Sequence, residues 1–454
     1  MKLDAHWMPF TANKAFRKNP RMLASSSGMY WTNDSGAQIL DMTSGLWCTN
    51  LGHSRIEIAK AMFDSAVKLG YAPSFNFGHI GSFQLAERLA DLSPGNLKHV
   101  FFTNSGSEAI DTALKMVLAY QVARGKAAKR MFIARERSYH GVNLGGTALC
   151  GIVSHTRAFG RWVPVDHLPH TQDLGRNAFT RGLPTHGIEL ADELERLINL
   201  HGAENVAAVL VEPVVGAGGV LPPPAGYLKR LREICDRHDV LLIFDEVVTG
   251  FGRLGSFTAS IEFGVTPDLF TVAKGLTSGA VPMGAVICSR QIHDTVISAA
   301  DGIEFFHGYT YSAHPIACAA ALACLDIYER EGLFTRVNNG IGRQFENALH
   351  GLRGLRGIVD IRNYGLLGAV EFEPQGTAAP LGIQVFARAW GNGLMIRAIG
   401  DSIILSPPLI VGEKHLAEFD DKIRLSIREA VANSQPVPGI RVAANQGSPS
   451  RAAV

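Results

Sequence analysis

Between about Val100 and Gly275 the chain alternates short apolar, β-rich runs with longer stretches of helical periodicity, a pattern that predicts a parallel sheet with helices on its faces. The predicted strands are "HVFFT", "RMFIAR", "VAAVLVEP", "VLLIFDE", "LFTVAKG" and "GAVICS". Nearly all are apolar at every position, not at alternate ones, as strands covered on both sides must be. Ahead of them, "MYWTNDSGAQILDMTSGLW" reads as a short antiparallel meander that turns at Asn33-Asp34-Ser35-Gly36. Behind them, "HPIACAAALACLDIYEREG" predicts a long helix opening just past Pro315 and closing at Gly332. "VDIRNYGLLGAVEF" and "GLMIRAIGDSIILSPPLI" supply the last strands of an α+β unit. The expected fold class is therefore α/β: a large domain with a mostly parallel sheet and helices on both faces, and a small α+β domain built from both chain ends. The expected divisions are an N-terminal segment of the small domain at 1–62, the large domain at 63–314, a C-terminal small domain at 315–435 and a flexible tail at 436–454. The tail is rich in Pro, Gly and Ser and lacks periodicity.

At 454 residues, 46% hydrophobic and 19% charged, the chain is long enough to bury a deep site. A formal net charge of +2, with Lys and Arg spread along the chain, sets up no field suited to nucleic acid or an anionic membrane, so neither partner is expected. The six cysteines, at 48, 150, 235, 288, 318 and 324, form no CxxC pair, which points to buried free thiols in a reducing compartment and to no metal site. The N-terminal stretch "MKLDAHWMPFTANKAF" has no apolar signal core, and "PIACAAALACLDIY" falls short of a membrane span. A cytoplasmic location is the expectation.

The stretch "VLLIFDEVVTGFGRLG" at 240–255 admits three chemistries. Nucleotide hydrolysis would need a glycine-rich loop ending in Gly-Lys-Ser/Thr, and the only Gly-Lys pair, Gly125-Lys126, runs on into Ala127. A nicotinamide-dependent oxidoreductase would need its glycines directly after the strand and at the start of a helix, whereas Asp245 to Thr249 intervene before Gly250, Gly252 and Gly255. The third chemistry uses Asp245 to hold a protonated ring nitrogen, and it demands an amine near the same ring. Lys274 in "LFTVAKGLTSGAVPMGAV" answers that demand. Alone it would pass for a solvated strand-end lysine; paired with Asp245 it becomes a candidate. "FFTNSGSEAIDTALKMV" adds a strand, a Ser105-Gly106-Ser107 turn and a helix start suited to an anion, although an ordinary N-cap turn reads the same way. In "SYHGVNLGG", Tyr139-His140-Gly141 follows a strand and offers an aromatic cover for a planar ring.

Together these residues resemble the fold-type I pyridoxal-phosphate enzymes, and specifically the class III (ω-amino acid) aminotransferases, from about Met29 to about Pro408. The motifs that carry the resemblance are "FFTNSGSEAIDTALK", "YHGVN", "VLVEP", "FDEVVTGFGRLG", "AKGLTSGAVPMGAV" and "HGYTYSAHPIACAAAL". The last two, with "GLWCTNLGH", are most similar to the β-alanine:pyruvate members. The resemblance implies pyridoxal 5'-phosphate as cofactor, held as an internal aldimine on Lys274 with Asp245 at its pyridine nitrogen. It implies Tyr139 and Val247 on the two ring faces, Glu212 near the ring edge, and Ser105, Gly106 and Ser107 at the phosphate. Thr310 would reach the phosphate of a neighbouring subunit, which implies a homodimer or homotetramer with a shared active site. Trp47 and Arg397 would contact substrate, Arg397 through the carboxylate. The implied reaction moves the amino group of β-alanine or a similar ω-amino acid to pyruvate by a ping-pong route; taurine:pyruvate and amine:pyruvate transaminases share the scaffold. One position departs from the close pattern: where a glutamine accompanies the arginine seven residues on, this chain has Ile404. A β-amino acid and an α-keto acid place their carboxylates differently, and a fixed bidentate arginine fits only one of them well, so Arg397 is expected to move between half-reactions.

Overall fold

The all-apolar runs in the middle of the chain line up as one sheet. The computed structural model describes residues 2–374 and 380–433; the stretch 436–454, expected to be a flexible tail, lies outside the described residues. Three strands come first, β1 (Leu23–Ser27), β2 (Tyr30–Asn33) and β3 (Gln38–Asp41). Seven follow: β4 (Leu97–Thr103), β5 (Met131–Arg135), β6 (Val165–Leu168), β7 (Val206–Val211), β8 (Leu241–Asp245), β9 (Leu269–Val272) and β10 (Gly284–Ser289). Five more close the series, β11 (Ile358–Tyr364), β12 (Leu367–Phe372), β13 (Leu394–Met395), β14 (Arg397–Ile399) and β15 (Ser402–Leu405). Among the described residues the large sheet has the order β4-β10-β9-β8-β7-β5-β6.

Every residue of β7, β8, β9 and β10 is buried. Alternation along these strands divides the apolar run between two cores. Leu241 and Ile243 join Ile110, Ala113 and Val117 of the Gly106–Ala123 helix on one face, whereas Leu242 and Phe244 join Leu231 and Ile234 of the Tyr227–Arg237 helix on the other. Each fully buried Leu, Ile, Val or Phe among them contributes about 1.5–3 kcal/mol of transfer free energy. The sheet is parallel except at β10, which pairs antiparallel with both β9 and β4. The cause is the connection: from Val272 to Gly284 the chain makes only a short 3-10 turn, Lys274–Leu276, and without a crossover helix the next strand must run back. β6, "VDHL" at one sheet edge, escapes periodicity analysis because it is four residues long and carries two polar groups.

The predicted meander forms, with Tyr30–Asn33 and Gln38–Asp41 antiparallel and Leu23–Ser27 added outside. Its inner strand pairs in parallel with β13, Leu40 opposite Leu394, so the two ends of the chain share a sheet. The predicted long helix runs Pro315–Arg330 with His314 as its cap. A C-terminal antiparallel sheet, β11-β12-β15-β14, completes the described strands. Among the described residues no helix is long and apolar enough to cross a membrane.

Candidate active site

The candidate residues collect where open α/β sheets bind ligands, at the carboxyl ends of the parallel strands. Asp245 is the last residue of β8, opposite Thr271 of β9, and Lys274 stands three residues beyond that partner. The Asp245 carboxylate is buried, and its Oδ1 accepts hydrogen bonds from the Val247 amide at 3.1 Å and Thr271 Oγ1 at 3.3 Å. Burial pushes the Lys274 amine below the ordinary lysine range while Asp245 pulls the other way, so the two groups sense one another's charge. Lys274 has φ +40°, a left-handed backbone costly for a side chain of this kind that turns the amine off the strand line. Its Nζ lies 5.5 Å from the centroid of the Trp47 ring.

At the end of β4 the chain enters the Gly106–Ala123 helix. Ser105 caps it by accepting from the Glu108 amide at 3.1 Å, and Glu108 Oε2 accepts from the Asn104 amide at 2.7 Å, so one first-turn donor and the amide ahead of the cap are satisfied together. Among the described residues the amides of Gly106 and Ser107 make no hydrogen bond. A Cβ on Gly106 would lie 3.1 Å from Val247 and 3.7 Å from the Ala273 Cβ, which sets this helix start against the segments bearing Asp245 and Lys274. Gly141, at φ +96°, packs so closely on Ser107 that a Cβ there would come within 2.5 Å of Ser107 Oγ.

Tyr139 lies in the loop after β5, and its amide donates to Glu212 Oε1 at 3.0 Å. Glu212, just past β7, accepts with its other oxygen from the Gly216 amide at 2.7 Å, and burial raises its carboxyl above the ordinary range. Burial likewise raises the Tyr139 phenol, where Cys150 and Asp245 add to the effect and Arg397 opposes it. Arg397 opens β14 with Ile404 as its cross-strand partner. Its guanidinium is held below the usual range by burial and, among the described residues, has no ion-pair or hydrogen-bond partner. Trp47 is buried, and its Nε1 has no partner among the described residues. Thr310 stands apart from this group: it is exposed, and its carbonyl accepts from the Tyr71 hydroxyl at 3.0 Å.

Sequence reasoning passed over His140, whose Nδ1 lies 2.9 Å from Asp245 Oδ2 while its ring is fully enclosed. The neighbouring Tyr139 drew the attention, and nothing local shows that the histidine reaches a carboxylate 105 residues away. A second polar cluster, His99, His293 and Asp294, stacks its two imidazoles with centroids 3.6 Å and planes 6° apart. Parallel rings at that separation cannot both aim in-plane lone pairs at one ion.

A lysine amine with a lowered proton affinity, a buried carboxylate and two unspent helix-start amides suit an aldehyde, a protonated ring nitrogen and a phosphate, the three handles of pyridoxal phosphate. Fold and donor set are thus those of a pyridoxal phosphate-dependent transferase. The family model "Aminotransferase class-III" matches residues 12–427. An omega-aminotransferase of Caulobacter vibrioides is 52% identical over 425 residues, covering 93% of this chain and 97% of that one. A beta-alanine–pyruvate aminotransferase of Pseudomonas aeruginosa is 50% identical over 428 residues, covering 93% and 95%. The solved omega transaminase of Pseudomonas jessenii in complex with PMP superposes with a TM-score of 0.90 at 32% identity, covering 96% of this chain and 98% of that one. The chain belongs to the class III aminotransferases, and it is a pyridoxal phosphate-dependent transaminase.

Proposed function

We propose that this enzyme moves the amino group of β-alanine or a similar ω-amino acid to pyruvate, giving a semialdehyde and L-alanine in a ping-pong cycle. The observation that carries the reading is the Arg397 guanidinium, which has no partner among the described residues and whose charge is felt by both Tyr139 and Lys274: a partly desolvated, unpaired cation calls for a substrate that brings its own carboxylate. The names of the most similar relatives support it.

When bound, pyridoxal phosphate supplies the electron sink for the carbanion left by deprotonation of the substrate carbon. Asp245 would keep a proton on the ring nitrogen, while His140 steadies that carboxylate at Oδ2. Gly106 and Ser107 would offer amides to the phosphate, with Ser105 shaping the turn; Tyr139 and Val247 would cover the ring, and Glu212 fixes the Tyr139 backbone. Lys274 would hold the cofactor aldehyde, and its amine would move the proton from the substrate carbon. Trp47 walls the amine end and Arg397 takes the carboxylate. Sitting on a three-residue edge strand, Arg397 is free to adjust between a β-amino acid and an α-keto acid.

The active unit is a homodimer or homotetramer in which Thr310 serves the partner's phosphate. In support, Tyr71, which bonds the Thr310 carbonyl, is exposed, as are Phe75, packed at Gly308, and Phe306 and Tyr311 of the Thr310 segment; clustered apolar surface of this kind marks an interface. A cytoplasmic location fits six free cysteines, five of them buried.

The test is an absorption spectrum of the purified enzyme before and after β-alanine, then after excess pyruvate. Bleaching of the lysine-bound cofactor band by β-alanine and its return with pyruvate are expected. A band indifferent to β-alanine but bleached by taurine or a diamine would refute the donor assignment.

A further inference from the structure

The buried side chains that the reaction scheme does not use include one cation of unusual placement. Arg253, from the "GFGRLG" loop between Asp245 and Lys274, is fully buried, and among the described residues no carboxylate lies within ion-pair distance of it. Enclosing an unpaired guanidinium is costly unless its N–H groups are satisfied. Here one terminal nitrogen donates to the Pro407 carbonyl, and the other donates to Asn50 Oδ1 at 2.7 Å and to Ser44 Oγ at 3.2 Å. Only Nε is left without a partner. Burial brings the guanidinium down to about 10, so it stays charged through the neutral range.

Those three acceptors belong to the two substrate-facing walls. Ser44 begins the turn that ends in Trp47, and Ser44, Gly45 and Trp47 all have left-handed backbones, at φ 48°, 65° and 64°. Two such non-glycine residues in one turn store strain that neighbouring contacts must hold. From one side the buried Asp41 carboxylate holds it, accepting from the Thr43 amide at 2.7 Å and the Gly45 amide at 2.6 Å. From the other side Arg253 does. Asn50 also donates to the Phe251 carbonyl at 3.1 Å, and its amide nitrogen lies 2.7 Å from where a Cβ on Gly275 would stand, so it packs on the residue after Lys274. Pro407 follows β15, the strand paired with the one that carries Arg397.

We infer that Arg253 is the positioning residue that fixes both substrate walls, the Trp47 turn and the end of the Arg397 sheet, to the turn bearing Lys274. The guanidinium's planar fork suits three acceptors from two separate chain segments, which the point charge of a lysine cannot engage together. The inference rests on the assignment of Trp47 and Arg397 as substrate walls, and it concerns no group that touches the cofactor phosphate or ring nitrogen.

The test uses holoenzyme variants Arg253→Lys and Asn50→Ala, with two readouts. The first is turnover: KM for the amino donor and for pyruvate should both rise about 10-fold or more, with kcat changed less than about 3-fold, because the walls loosen while the lysine and the ring nitrogen contact stay in place. The second needs no turnover and so reads the inference even if β-alanine is the wrong donor: the pH midpoint of the visible band, which reports the proton at Lys274 Nζ. With Trp47 no longer held under that nitrogen, the midpoint should fall by about 1.5 pH units, the worth of one desolvated cation–π contact. The double variant should lose less than the two single losses combined, since both changes break the Arg253–Asn50 contact while Asn50→Ala also removes the bond to the Phe251 carbonyl. Unchanged KM and an unchanged midpoint in both variants, with only the melting temperature lowered, would overturn the inference. If Arg253→Lys does not fold, Asn50→Ala decides by the same criteria.

Discussion

A single methyl group placed on Gly216 tests whether Trp47 must lie where it does. The backbone of Gly216 is not in the left-handed region, so alanine is torsionally allowed there and the perturbation is purely steric. The added carbon would stand 2.5 Å from Trp47 Cζ3 and 3.3 Å from Cη2, against an optimum of about 3.5–4.0 Å for carbon pairs. The indole must therefore move by about 1 Å, since the loop that carries Gly216 is pinned by its 2.7 Å hydrogen bond to Glu212. Trp47 is buried, so the shift costs about 1–3 kcal/mol of overpacking. A misplacement of about 1 Å near reacting groups can cost up to about 100-fold in rate. The expected result for Gly216→Ala is a fall of about 10- to 100-fold in kcat/KM for the amino donor, with the visible cofactor band intact, because the Gly216 amide still bonds Glu212. In a Trp47→Leu background the same methyl meets no indole, and its further effect should stay below about 0.5 kcal/mol. Steady-state kinetics of the four proteins settles the matter: a Gly216→Ala enzyme within about 2-fold of the parent, or equal losses in both backgrounds, would refute the steric argument.

Three further outcomes follow from the same geometry. Asp245→Asn should lower kcat by about 100- to 1000-fold, because an amide turns a donor toward the ring nitrogen and removes the charge that His140 now meets at 2.9 Å; single-turnover absorbance checks it, and a loss under about 5-fold would contradict it. For Lys274, whose amine is lowered chiefly by burial, the reactive uncharged form persists to lower pH than in a free lysine, so the rate of cofactor capture by the apoenzyme should rise with pH and level off below about 10.4. Stopped-flow capture rates with a midpoint at or above that value would count against it. Glu246 accepts from the Ala259 and Ser260 amides at 2.9 and 2.8 Å and from Ser260 Oγ at 3.0 Å, so Glu246→Gln, which puts a donor among donors, should destabilise the apoenzyme by about 1–3 kcal/mol in urea unfolding; an unchanged midpoint would show that the amide finds another orientation.

What could be read along the chain was what is local. The strands of the large sheet were legible because burial on both faces leaves their sequences apolar at every position, and Asp245 and Lys274 stood out as charges ending such runs. The direction of β10 was not legible as a pattern, since a buried strand reads the same whichever way it runs; only the missing crossover helix decides it. His140, Asp41 and Arg253 were passed over for a related reason: the Arg253 contact with Ser44 spans 209 positions, and no periodicity reaches that far. Ile404 shows the two kinds of information meeting. Along the chain it was a departure, an apolar residue where a polar companion to Arg397 was expected. In the fold it is the direct cross-strand partner of Arg397 and is fully buried in a cluster with Trp47, Val214 and Ala369. A polar side chain enclosed there would need a hydrogen-bond partner, and those neighbours offer only hydrocarbon and an indole N–H. Isoleucine needs none, so it backs the arginine without engaging it, and the guanidinium keeps its donors free for the carboxylate that the proposed reaction would bring.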